Sequence, residues 1–264
     1  MLVFLLSIVI GLSVGLLGAG GSILMIPLFV YVGGMDPVTA ISSSLLVVMV
    51  ASMFALVRYG KFGLIQWRVG FIFGFSGMLT AVLGGQIGAN LGGEVLLLVF
   101  SVIMLLSGIA MIRRINGPQL IRNSQVKAFR LIIYGVLVGF VTGLVGAGGG
   151  FIVVPVLVLF GGLAITQAIA TSLFVVLLKS LGAFVGYSLR FNEITISLNE
   201  KIVFDFQIIM FSILGVSIGS ILGSFFFTQI RPEKLKVVFG WFIIVISFFL
   251  FLENSFDLTS NKTT

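Results

Sequence analysis

Apolar runs separated by short polar loops fill almost the whole chain, near 2–18, 20–33, 38–57, 69–91 and 95–112, then near 131–146, 149–162, 166–189, 202–228 and 235–252. Most are long enough to cross a bilayer core of about 30 Å as helices. The pattern predicts an all-α polytopic membrane protein with five hydrophobic segments in each half. Residues 2–33 would make one helix of roughly 48 Å, too long for a single crossing. They must fold back at an internal glycine cluster, either as two short crossings or as a re-entrant hairpin.

The glycine cluster occurs twice. Gly15-Leu16-Leu17-Gly18-Ala19-Gly20-Gly21-Ser22-Ile23-Leu24-Met25-Ile26-Pro27 returns without a gap as Gly143-Leu144-Val145-Gly146-Ala147-Gly148-Gly149-Gly150-Phe151-Ile152-Val153-Val154-Pro155. At the same offset, Gly33-Gly34 falls on Gly161-Gly162, Ala40-Ile41 on Ala168-Ile169, and Ser44-Leu45 on Ser172-Leu173. The chain therefore divides into a first membrane repeat (1–112), a basic linker (113–130), a second membrane repeat (131–252) and a polar C-terminal tail (253–264). Because either folding of the first two segments returns the chain to its starting side, each half crosses an odd net number of times. The second repeat is then inverted relative to the first, an arrangement that in transporters places sites near the midplane between repeats.

Charge refines the topology. Arg58, Lys61 and Arg68 form one basic loop, and Arg113, Arg114, Arg122, Lys127 and Arg130 another, neither with an acidic residue. Both are expected on the cytoplasmic side, as are Arg231, Lys234 and Lys236. The mixed stretch Arg190, Glu193, Glu200, Lys201 and Asp205 suits the outside. Although the net charge is +7, the basic residues sit in loops between spans, as topology determinants do, and no nucleic-acid partner is expected. The first apolar run lacks a basic stretch before it, and its continuation recurs from residue 139, so it reads as part of the mature fold rather than as a signal peptide.

A composition of 59% hydrophobic and 9% charged residues excludes a soluble domain. With no cysteine and no histidine, disulfides and the commonest metal ligands are absent, and no metal or other cofactor is expected. The same lack, together with the absence of paired intramembrane carboxylates, argues against an enzyme.

Candidate chemistry gathers at the repeat. Gly18, Ala19, Gly20 and Gly21 before Ser22, and Gly146, Ala147, Gly148 and Gly149 with Gly150, could expose backbone N–H groups at the start of the next segment, where an anion is favoured. The alternative is a tight turn in which glycine merely permits positive φ. Ser43 and Ser44, with Thr171 and Ser172 at the matching place, add hydroxyls, although such groups commonly bond back to their own helix. Gln86 and Asn90 share one helical face and could line the same cavity. Lys179 is the basic residue set deepest inside an apolar run, about 16 Å of helix rise from Arg190. An ionisable group at that depth points to function, and with no obvious carboxylate partner it could attract an anion. The pairs Gly11/Gly15, Gly84/Gly88, Gly139/Gly143, Gly215/Gly219 and Gly219/Gly223 read as helix-packing faces, and Pro27 and Pro155 as kinks.

The doubled GLxGAGGxxxxxP motif, Thr171-Ser172-Leu173, the basic loop ending in Trp67-Arg68 and the GxxxG before a charged turn resemble the TauE/SafE sulfite exporter family over nearly the whole chain. The resemblance implies a plasma-membrane permease for small sulfur-containing anions such as sulfite, sulfoacetate, other sulfonates or thiosulfate. Together these readings predict a secondary transporter working by alternating access, whose partners are a small anionic substrate and the lipid bilayer. A proton or sodium ion is a candidate co-substrate, and the oligomeric state is open, a homo-oligomer included. An anion channel or uniporter, or a membrane assembly subunit, is the alternative.

Overall fold

The computed structural model describes residues 2–18, 22–91, 93–113, 128–146, 150–198 and 205–226, with a few isolated positions between 237 and 248. The tenth apolar run, the linker from 114 to 127 and the tail 253–264 thus lie wholly or largely outside the described residues. The described residues form nine α-helices and no strand: α1 (Leu2–Leu17), α2 (Ser22–Pro27), α3 (Pro37–Lys61), α4 (Trp67–Gly88), α5 (Gly93–Arg113), α6 (Ala128–Val145), α7 (Gly150–Leu159), α8 (Ile165–Leu198) and α9 (Phe206–Phe226). Five stretches, Pro37–Lys61, Trp67–Gly88, Ala128–Val145, Ile165–Leu189 and Phe206–Phe226, are long and apolar enough to cross a membrane.

Each expected fold-back is present. Gly18 and Gly146 adopt φ of +63° and +70°, and their N–H groups bond the Val14 and Thr142 carbonyls at 3.0 and 2.9 Å. This is a left-handed helix stop, in which glycine escapes the Cβ clash that other residues meet. A second pair, Gly34 and Gly162, is also left-handed, at +63° and +64°. Pro27 closes α2 and leads into a π-helical turn, Leu28–Val32, whereas Pro155 lies inside α7. A missing proline donor loosens the ladder in both places; the first copy widens into a full π-helical turn, and the second keeps one bond of that span, from the Gly161 N–H to the Val156 carbonyl at 3.1 Å.

The two halves exchange partners. Helix α1 packs against α9, and α6 against α4, with α3 and α8 crossing between these pairs. Backbone contact is so close that a Cβ at Gly11 would strike Val216, at Gly219 Ile8, at Gly139 Gly77, and at Gly84 Phe140. The expected glycine faces are therefore real seams, in which small residues let main chains approach. Along them Phe4, Ile8 and Leu12 meet Gly215, Gly219 and Gly223 in rising order, so α1 and α9 are parallel. Likewise Gly135, Gly139 and Gly143 meet Phe73, Gly77 and Ala81, making α6 parallel to α4. Helix α8 also rises with α4, from Phe174 beside Gly70 to Gly186 beside Val82.

Helices α3 and α8 run in opposite directions. Near the start of α3, Ile41 shares the surroundings of Gly146 with Tyr187, far along α8. Just beyond the end of α3, the Gln66 N–H donates to the Thr171 hydroxyl near the start of α8, at 3.0 Å. Arg58, near the end of α3, stacks its guanidinium 3.4 Å from the Phe225 ring centroid at the end of α9, so these two helices run together. Among the described residues Arg58, Lys61, Arg68 and Arg130 gather at one end of the bundle. Asp36 and Asp205 lie at the other end, their carboxylates accepting from the N–H groups of Val38 and Ile208 at the starts of α3 and α9.

Candidate functional site

The glycine turns of each half are seated against the central helix of the other half. A Cβ at Gly18 would lie 2.7 Å from both the Ile169 carbonyl oxygen and Cγ2, and 2.9 Å from the Ser172 hydroxyl. Gly146 in turn sits against Ile41, and the Ser44 hydroxyl lies 3.4 Å from its carbonyl oxygen. Ile41 and Ser44 are the repeat counterparts of Ile169 and Ser172, so the two contacts are reciprocal. Tyrosines secure both turns. The Tyr59 hydroxyl donates to the Gly15 carbonyl at 2.6 Å and the Tyr187 hydroxyl to the Leu144 carbonyl at 2.8 Å, satisfying acceptors that the last turn of a helix leaves open. These tyrosines correspond at the repeat offset, a signal for their role that lies outside the glycine motifs.

The turns themselves do not converge. Gly18 meets α8 at Ile169 and Ser172, Gly146 meets it at Tyr187, and the rise of α8 from Ser172 to Tyr187 is about 22 Å. What approach one another are the short helices that follow the turns, α2 and α7. Ser22 opens α2 and Gly150 opens α7, while Ala19, Gly20, Gly21, Ala147, Gly148 and Gly149 lie outside the described residues. Helix α2 is six residues long before it passes into the π-helical turn.

Lys179 lies between the levels of the two turns. It is 1% exposed, and its Nζ has no hydrogen-bond partner among the described residues. Its ammonium sits 4.3 Å from the Phe73 ring centroid, in a slot opened by Gly77, where a Cβ would strike the lysine Cε and stand 2.9 Å from the Gly135 carbonyl oxygen. The surrounding positions on α4 and α6, Phe73, Gly77 and Gly135, carry no charge. A ring face returns about 2 kcal/mol to a desolvated cation, less than burial of an unpaired charge costs.

The hydroxyls divide into two kinds. Ser44 and Ser172 donate to the Ile41 and Ile169 carbonyls at 2.7 and 2.8 Å, and Thr171 accepts the Gln66 N–H. By contrast Ser43, Ser52 and Ser180 are fully buried, and their hydroxyls have no partner among the described residues. The exposed Asn90 amide donates to the Gln86 main-chain carbonyl at 2.9 Å, and Gln86 itself is half-buried. Among the described residues no group of His, Cys, Asp and Glu is arranged to hold a metal.

Comparison with known proteins agrees with this architecture. The family model described as sulfite exporter TauE/SafE matches residues 3–250. A probable membrane transporter protein of Xylella fastidiosa is 32% identical over 247 residues, covering 91% of this chain and 90% of that protein. Another, from Methanocaldococcus jannaschii, is 27% identical and covers 94% and 95%. A third, from Haemophilus influenzae, is 26% identical and covers 96% and 98%. No solved structure matches the chain. A multi-pass bundle built from two glycine-turned halves, matched by that family model over nearly its whole length, belongs to the TauE/SafE family of membrane transporters and is not an enzyme.

Proposed function

We propose that the protein is a secondary exporter of a small sulfur-containing anion, such as sulfite or an organosulfonate, and that its two halves are inverted repeats operating by alternating access. The observation that carries the anionic sign of the substrate is Lys179, buried at the level between the two turns with no partner for its ammonium among the described residues. A cation so placed gains most when an anion arrives beside it, and an intramembrane ionisable residue marks a substrate path by default. The opposite directions of α3 and α8, which correspond at the repeat offset, support the inverted reading.

The exchanged packing sets α1 with α9 and α6 with α4, and α3 and α8 lie between these pairs and against each other; we take α1, α9 and α3 as one moving body and α6, α4 and α8 as the other. Rocking of one against the other at the α3–α8 crossing would open the centre alternately to each side. The chain holds no nucleotide motif, and the interior-negative potential favours anion exit by about 2.3 kcal/mol per charge per 100 mV. Flux of radiolabelled sulfite, sulfoacetate and thiosulfate in proteoliposomes, with and without proton or sodium gradients, tests the reading. Saturable flux supports it; if none of these nor any other small anion moves, it fails.

A further inference from the structure

Many buried serines and threonines on these helices satisfy themselves. Ser42, Ser44, Ser101, Thr142, Ser172, Ser220 and Ser224 each donate to a carbonyl three residues earlier, at 2.6 to 3.1 Å. That bond is available to any helical hydroxyl. Ser52 and Ser180 forgo it, although both are 0% exposed. Ser7, Ser43, Ser212 and Ser217 are also open, but the counterparts of Ser7 and Ser43 at this offset are Gly135 and Thr171, and Ser212 and Ser217 lie on α9, whose counterpart in the other half, α4, offers no open serine. Among the described residues, Ser52 and Ser180 alone form a pair at the repeat offset, so the same unpaired hydroxyl is built into each half.

Their place in the fold gives this meaning. Ser180 follows Ile169 by eleven residues and Ser52 follows Ile41 by eleven, about three helical turns, which returns each to the face that receives the other half's glycine turn. Because α3 and α8 run in opposite directions, the two serines fall near the middle of the crossing, at the level of Lys179. A buried donor without an acceptor costs about 1–3 kcal/mol. Here two of them, related by the repeat, stand at the level of Lys179, whose Nζ also has no hydrogen bond among the described residues.

We propose that the Ser52 and Ser180 hydroxyls are anion ligands, donating to two oxygens of the translocated oxyanion while Lys179 supplies the charge. The assignment rests on the transport reading above. It adds two residues that the glycine motifs do not contain, and it selects for a substrate with at least two acceptor oxygens on one centre, as in sulfite or a sulfonate. Serving both hydroxyls from one ligand also ties α3 to α8, so occupancy is felt by both bodies at once.

The test compares Ser52→Ala, Ser180→Ala and the double variant with Ser42→Ala, whose hydroxyl is already bonded to the Thr39 carbonyl at 2.9 Å. Sulfite, sulfoacetate and thiosulfate are the probes, with transport KM in proteoliposomes and binding to purified protein as readouts, and thermal unfolding as the check on folding. Each single variant is expected to raise KM about tenfold or more while the anion-free unfolding temperature holds or rises, the double variant further, and Ser42→Ala is expected to leave KM unchanged. Folded Ser52 and Ser180 variants with KM within twofold of the parent overturn the assignment and leave the transporter reading standing. If the parent protein moves no anion, the transporter reading falls and takes this assignment with it.

Discussion

Replacing Lys179 by methionine separates two quantities that usually change together. Methionine conserves the length of the stem, so the slot between Gly77 and Gly135 stays filled and no cavity is added. What disappears is a charge whose Nζ lacks a hydrogen bond among the described residues and whose aromatic support is the Phe73 ring at 4.3 Å. Replacing a buried polar group that lacks a partner by an apolar residue of similar shape is nearly neutral or stabilising. An anion seated about 4 Å from the ammonium at an effective dielectric of about 20 gains about 4 kcal/mol from it. Its loss therefore weakens binding by about 1000-fold. The expected outcome is a protein whose anion-free unfolding temperature rises or holds while sulfite affinity collapses, read by thermal unfolding and titration on the purified protein. Normal affinity in Lys179→Met removes the lysine from the site. A large fall in anion-free stability refutes the claim that the charge is unpaired.

Two further outcomes bear on the fold. Gly139→Val should lower the unfolding temperature and the yield of folded protein sharply, because its Cβ would strike the Gly77 backbone, whereas Gly63→Asn, at φ +65° with nothing within 4 Å of the added carbon, should be nearly silent in the same measurement. Single cysteines introduced at 116 and 192 into this cysteine-free chain should react with impermeant reagents from opposite faces of the membrane, 116 from inside and 192 from outside; labelling of both from one side would overturn the inverted arrangement.

The turns are legible in the sequence because glycine leaves a local mark. The constant offset between the copies pairs Gly18 with Gly146 and Gly34 with Gly162, and all four adopt positive φ. Helix extents are legible for a similar reason, since α3, α4, α6 and α9 follow their apolar runs to within a few residues. Partner choice is not. In lipid every helix face is apolar, so the pattern that orients a helix in water carries little information about which neighbour it meets. Nothing in Gly77 or Gly135 announces that they will open a slot for Lys179, because that slot exists only where α4, α6 and α8 come together. The serines show the same limit. Ser42 and Ser52 are the same residue on the same helix, and only the packed structure distinguishes the hydroxyl that bonds its own backbone from the one left open.

The exchange of α1 with α9 and of α6 with α4 has a consequence for synthesis. Helix α1 is made early, yet the glycine seam it fits belongs to α9, which begins only at Phe206. At about 5–20 residues per second, α1 waits on the order of 10–40 s for its partner. During that interval the seam along Gly11 and Gly15 is open to lipid or to other proteins of the insertion machinery. The mature bundle closes only when the second copy of the repeated unit has been delivered, which makes the duplicated chain one assembly event rather than two.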